Sequence, residues 1–252
     1  MGIAPSKLLF LSLLLGLVTL NAGTLNVAVA SNVSYAIQAI KQEFTKKYPD
    51  TKIQIILASS GKLAAQIRHG APYHIFMSAD MAYPEALFKD NLTLLTPVLY
   101  AKGSLVMFST TPQDFTLGIN LVNSKLINKI AIASKTAPYG IATLQALKNS
   151  STYENNKKKL VYAESISQTL SYARIATDIG FISKSALFTP QMFQYTKNKH
   201  WIEVNSKLYT PINQGIVILK NAIANKEAKV FYKFILSLEA KAIFKKFGYI
   251  VE

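Results

Sequence analysis

The 252-residue chain has no cysteine, only three histidines, one tryptophan, and 13 acidic side chains against 28 lysines and arginines. Without cysteine there is no disulfide framework, no thiolate metal site, no cysteine nucleophile and no thioether lipid anchor. The scarcity of histidine leaves little for metal ligation. His69 and His74 stand five apart across a Gly-Ala-Pro turn, which is not the spacing of a helical metal pair. Common enzyme signatures are also missing: there is no GxSxG, no HExxH, and no GxxxxGK loop followed by serine or threonine. Asp80 and Glu85 flank a helix start, where capping explains them better than acid–base work.

The shortage of acids leaves a net charge of +15. Such a field favours encounter with anions. The lysines occur in short runs, such as Lys157 to Lys159 and Lys245 with Lys246, beside polar residues or within amphipathic helices. They read as solvated surface, and no nucleic-acid-binding motif accompanies them. The 13 tyrosines and 13 phenylalanines are scattered at core spacing and at strand ends, as packing requires.

One long apolar run exists, from Leu8 to Leu20, preceded by Lys7 and followed by the small residues Ala22 and Gly23. This is the pattern of a secretory signal peptide over residues 1–22, with cleavage near Ala22. The run is shorter than the roughly 20 residues of a membrane-spanning helix, and no later segment is comparable. The remaining chain is expected to be soluble, exported and free of a lipid anchor. At about 230 residues it is long enough for one large domain or two lobes with cores of their own.

The rest alternates between two periods. LNVAVA (residues 25–30) reads as a buried strand, after which Ala36, Ile37, Ile40 and Phe44 recur at helical spacing. KIQIILA (52–58) precedes a helix carrying Leu63, Ala64 and Ile67, stopped by Gly70 and Pro72, and IFMS (75–78) is a third strand. After Pro97 comes SLVMFST (104–110), and a new alternation begins with KIAIA (129–133) and a helix from Tyr139 to Leu147. LVYA, a helix around residues 166–176 and IGFIS (179–183) continue it. GIVIL (215–219) and two amphipathic helices, residues 226–236 and 238–247, close the chain. The predicted class is α/β with two lobes, each a mostly parallel sheet flanked by helices and joined by two crossovers. Residues 23–102 and 206–252 form the first lobe, and 103–205 the second.

Two strand ends carry the most informative chemistry: Ala30-Ser31-Asn32, and Ala58-Ser59-Ser60-Gly61. Ligands bind at such strand ends in open α/β sheets. A helix's first turn presents unpaired NH groups and partial positive charge, so it receives an anion without a formal cation. Each serine on its own could equally cap its helix. Together they suit a fully ionised tetrahedral oxyanion, which offers only acceptors and is matched by OH and NH donors.

Several stretches jointly resemble the periplasmic molybdate-binding proteins that feed ABC transporters. They are VAVASNVSYA (27–36), LASSGKLAAQIRHGAP (57–72), IFMSAD (75–80), APYGIATLQAL (137–147), IGFISKSAL (179–187) and FYKFILSLEAKAIFKKFGY (231–249), so the likeness covers nearly the whole mature chain. The resemblance implies a two-lobed, type II solute-binding fold in the periplasm. The ligand is then molybdate or tungstate, held without any direct protein–metal bond, and no cofactor is implied. It further implies that Ser31 and Ser60 donate through hydroxyl and NH from one lobe, and that the NH groups of Tyr139 and Ile166 donate from the other. A family tyrosine hydroxyl completes the set. Ser183 occupies the aligned position here, too short to reach as a tyrosine does, which leaves water, Tyr139 or Tyr162 as other sources of the fifth donor. His74 also departs from the family, which usually has aspartate there, and reads as a loop or hinge residue. The implied partners are a membrane ABC permease and its ATPase; the chain itself is expected to be monomeric, to bind no nucleic acid and to catalyse nothing. Carriage of sulfate or phosphate, and an exported hydrolase or polyanion-binding module, stand as the alternatives.

Overall fold

The structure is a computed structural model that describes residues 24–251; the leader expected over residues 1–22 lies outside the described residues. The elements run β1 (Leu25–Ala30), α1 (Ser34–Lys47), β2 (Ile53–Ala58), α2 (Ser60–Arg68), β3 (Ile75–Met77), α3 (Ala82–Lys89), β4 (Val98–Gly103) and β5 (Leu105–Phe108). They continue with β6 (Ile130–Ala133), α4 (Pro138–Asn149), α5 (Tyr153–Asn156), β7 (Leu160–Ala163), α6 (Ile166–Ile175), β8 (Ile179–Ser183), β9 (Trp201–Glu203), β10 (Ile212–Ile218), α7 (Lys226–Ile235) and α8 (Leu238–Lys246).

The strands form two five-stranded sheets, ordered β2-β1-β3-β10-β4 and β7-β6-β8-β5-β9. In each, three neighbouring strands pair in parallel, β2-β1-β3 and β7-β6-β8. The other two pair antiparallel, β10 with β3 and β4, and β5 with β8 and β9. The sheets are therefore more mixed than strand and helix alternation suggests. The reason is connectivity: β5 and β10 each enter a sheet from the other one, so no crossover helix constrains their direction. The chain passes between sheets at Gly103–Leu105 and again between β9 and β10.

Period-2 patterning sets the packing. In β1, Leu25, Val27 and Val29 face a core built with Ile37, Ile40 and Phe44 of α1 and Phe231, Ile235 and Phe244 of α7 and α8, whereas Ala28 faces Leu63, Phe76 and Leu87. The second sheet repeats the plan. Leu105, Met107, Ile130 and Ile132 pack with Leu147 of α4, while Val106, Phe108 and Ala131 pack with Leu170 and Ala173 of α6. Strands buried on both faces need unbroken Val/Ile/Leu/Ala runs, which is what the sequence holds at these positions.

Helix starts divide into two kinds. α6, α7 and α8 are capped by side chains: Ser165, Asn225 and Ser237 accept from the NH groups of Gln168, Ala228 and Ala240. α1, α2 and α4 have no side-chain cap. These three begin at the ends of β1, β2 and β6, where the two sheets face one another.

Candidate functional site

These three starts and that of α6 converge on one small pocket, lined by Ala30, Ser31, Asn32, Ser59, Ser60, Ala79, Ala137, Pro138, Tyr139 and Ile166. The first turn follows β1. A single 3-10 turn, Ser31–Val33, carries the chain from Ala30 into α1, and its residues are buried. The Ser31 carbonyl accepts from the Ser34 NH and, across the cleft, from Ser167 Oγ at 2.8 Å. This leaves the Ser31 hydroxyl for the pocket.

Ser60 opens α2 after β2 and is 1% exposed. It does not cap its helix. Its Oγ accepts the Ala79 NH at 2.9 Å, from the chain just beyond β3. With one lone pair so engaged, the hydroxyl proton is free to donate toward the pocket. Ser59, the residue at the cap position, makes no side-chain bond to the helix either.

The opposite wall comes from the second sheet. Pro138 has no NH to lose at the first position of α4 and starts that helix without strain. The Tyr139 NH belongs to the first turn and has no carbonyl one turn back. The Ile141 NH is the first that the helix uses, bonding the Ala137 carbonyl at 2.9 Å. On α6 the Ser165 side chain takes the Gln168 NH and its carbonyl takes the Thr169 NH, so the Ile166 NH is unclaimed by the cap.

No acidic, basic or histidine side chain lines the pocket. Its polarity comes from serine and asparagine side chains and from NH groups at helix starts, a field suited to an anion. Beside it, a wider cleft of about 390 Å3 is lined by Ser59, Lys62, Glu164, Ser165, Ser167 and Gln168, among others. Further hydrogen bonds cross between the sheets: Tyr83 OH donates to the Thr136 carbonyl at 2.8 Å, and Ser185 Oγ to the Asn32 carbonyl at 2.9 Å.

Of the five residues expected from sequence, Ser31, Ser60, Tyr139 and Ile166 line the pocket, and Ser183 does not. Ser183 ends β8 and is 1% exposed. Its Oγ lies 3.0 Å from Ser185 Oγ, which also contacts the Asn32 carbonyl. Ser185 has one proton; when it goes to the carbonyl, the Ser183 proton satisfies Ser185. Ser183 thus belongs to the hydroxyl chain behind the pocket. The Tyr139 phenol turns away into the interior, where burial pushes its pKa well above the ordinary value, and Tyr162 is 37% exposed with Lys135 Nζ 5.1 Å from its ring centre.

Asn32 was quoted in the strand-end motif but not assigned a role. It is fully buried and lines the pocket, one residue from Ser31 in the same turn. Its small polar side chain within an Ala-Ser-Asn turn was the available signal. Ala79 and Ala137 also line the pocket, and nothing in their side chains could have marked them. Asp80 accepts from the Tyr83 NH at the start of α3 and from Ser78 Oγ, as a capping residue would, and burial raises its pKa. His74 Nδ1 accepts the Asn26 NH at 2.9 Å. Among the described residues, no group of three or more His, Asp or Glu is placed to hold a metal ion, and no helix is long and apolar enough to cross a membrane.

The sequence profile of the family described as bacterial extracellular solute-binding protein matches residues 25–250. The molybdate-binding protein ModA of Rhodobacter capsulatus is 32% identical over 234 residues, covering 92% of this chain and 90% of that protein. ModA of Azotobacter vinelandii is 31% identical, with 90% of each covered. Among solved structures, the periplasmic molybdate-binding protein of Azotobacter vinelandii matches with a TM-score of 0.83 at 28% identity, over 90% of this chain and 99% of that one.

Proposed function

Because the chain belongs to the family of bacterial extracellular solute-binding proteins, we propose that it captures molybdate, and tungstate with it, in the periplasm and delivers the ion to an ABC permease. The observation that carries this reading is the uncapped helix starts: two buried serines, Ser31 and Ser60, lie at helix N-termini without capping them, in a pocket with no charged lining. A capping serine would spend its hydroxyl on its own helix. Here Ser60 takes an NH from elsewhere and keeps its proton for a ligand.

The donors proposed to hold the ion are the Ser31 and Ser60 hydroxyls with the NH groups of Ser31, Ser60, Tyr139 and Ile166, with Asn32 at the same turn. Ser183 acts behind them. In this reading residues 23–102 with 206–252 and residues 103–205 move as two lobes, and the hydrogen bonds across the cleft belong to the closed state. Because contacts from both sides are made only when the lobes meet, ligand binding favours closure. Neutral donors stabilise the ion without a buried counter-charge that would retard release. They also disfavour an ion that still carries a proton, such as hydrogen phosphate, whose OH would find a donor where it needs an acceptor.

Isothermal titration of the purified protein with sodium molybdate, tungstate, sulfate and phosphate tests the reading. One-to-one binding of molybdate and tungstate, with sulfate and phosphate far weaker, is expected. The reverse order overturns it in favour of a sulfate or phosphate carrier.

A further inference from the structure

Behind the pocket, four segments that are distant in sequence share one buried polar knot. Asn32 Nδ2 donates to Gln214 Oε1 at 2.9 Å and to Tyr249 OH at 3.1 Å; Tyr100 OH donates to the same Gln214 oxygen at 2.8 Å; Tyr249 OH donates to the Asn32 carbonyl at 2.8 Å. Two atoms in the knot have no hydrogen bond of normal geometry, Asn32 Oδ1 and Gln214 Nε2. One is an acceptor and the other a donor. The phenol of Tyr139, itself fully buried, reaches both side chains. A phenol carries one proton to give and lone pairs to accept with, so Tyr139 can answer both atoms at once.

The space for that phenol is provided by Gly103, at the first passage between the sheets. A Cβ there would collide with the Tyr139 oxygen and would lie 2.7 Å from Gln214 Nε2. Asn32 and Gln214 belong to the first sheet's elements, Tyr139 to α4 on the second. Moreover, Asn32 and Tyr139 both line the ligand pocket. The same two residues therefore face the pocket from opposite walls and approach one another behind it.

We propose that the Tyr139 phenol, seated in the slot left by Gly103, is a positioning group: it latches the first turn of α4 to the buried Asn32–Gln214 pair and holds the two walls at the spacing an oxyanion needs. This rests on reading the pocket as an oxyanion site. The phenol's bonds to Asn32 Oδ1 and Gln214 Nε2 hold the two walls together without an ion, and with one in place they slow reopening.

The test uses Tyr139→Phe, Gly103→Ala and Gln214→Met in the full mature chain, with molybdate release followed by stopped flow and the ligand-free shape by small-angle scattering. Tyr139→Phe is expected to weaken molybdate binding about tenfold, through faster release, because two buried polar atoms lose their partner. Its ligand-free form is expected to be more expanded than the wild type. Gly103→Ala should reproduce both effects without altering any pocket atom. The double variant Tyr139→Phe with Gln214→Met should be no weaker than the weaker single variant, since both remove one latch. Release within about twofold of wild type in Tyr139→Phe, or losses that multiply in the double variant, overturns the proposal. So does a lowered melting temperature with unchanged release, which marks plain packing. If the wild type binds none of the four oxyanions, the proposed function fails. The scattering of ligand-free Tyr139→Phe and Gly103→Ala still decides the latch: expansion supports it, and wild-type dimensions sink it.

Discussion

Replacing Ser60 by alanine separates two roles that one hydroxyl plays. Its oxygen accepts the buried Ala79 NH, and under the proposed function its proton serves the ligand. Removing the hydroxyl leaves that NH unpaired, with an expected cost of about 1–3 kcal/mol in the stability of the ligand-free protein. It also removes a hydrogen bond to an ionised ligand, worth about 1.5–3 kcal/mol, or roughly 10- to 150-fold in the dissociation constant. Ser31→Ala is the matched comparison. The Ser31 hydroxyl supports no backbone group, because the contacts of that turn run through its carbonyl. It should lose affinity for molybdate by about 1–3 kcal/mol with melting nearly unchanged.

Calorimetric titration with molybdate and thermal melting without it measure the two quantities independently. The expected pattern is loss of both in Ser60→Ala and loss of affinity alone in Ser31→Ala. If Ser60→Ala melts lower yet binds within about twofold of wild type, the hydroxyl serves only Ala79 and the donor assignment is wrong. If both variants bind normally, the pocket is not the site.

Gly140→Ala should weaken both folding and binding, because a Cβ at the third residue of α4 meets the Ser134 carbonyl and lies 2.6 Å from the Ala133 carbonyl oxygen, backbone that cannot swing aside. A cost of about 1–3 kcal/mol is expected by denaturant titration, with the Tyr139 NH displaced from the pocket. His74 predicts a pH effect of definite sign. Burial lowers its pKa below the ordinary histidine value of 6.5, and its Nδ1 must stay unprotonated to accept the Asn26 NH. The unfolded chain therefore takes up the proton first, so the stability His74 contributes is whole above pH 6.5 and is lost as pH falls toward its lowered folded value. Melting temperatures across that window should fall less steeply in His74→Gln than in the wild type; parallel curves would rule the effect out. Finally, a +15 chain with an uncharged pocket should show association with molybdate that slows as salt rises while its release rate stays constant. A release rate that climbs with salt would place a cation in the bound contact.

The sequence alone was enough for the alternating elements and for the strand-end serines. The reason is local: β1 and the second half of β10 are apolar runs, α1 shows Ala36, Ile37, Ile40 and Phe44 at helical spacing, and short-range periodicity is written in consecutive residues. Ser31 and Ser60 stood out because each follows an apolar strand and stands where a helix begins. β4 and β9 escaped notice, being edge strands with partly exposed residues and no strong alternation. That Ser60 does not cap its own helix was visible only in the Ala79 NH, which reaches its Oγ from beyond another strand. Ser183 looked like a pocket residue by alignment, and its hydroxyl turned out to be engaged with Ser185. Asn32, Gln214 and Tyr249 meet across 182 and 217 residues of chain. Such contacts obey no period and no local propensity. They exist because the first sheet brings the turn after β1, β10 and the segment after α8 to one place, and only the tertiary structure decides which polar groups meet there.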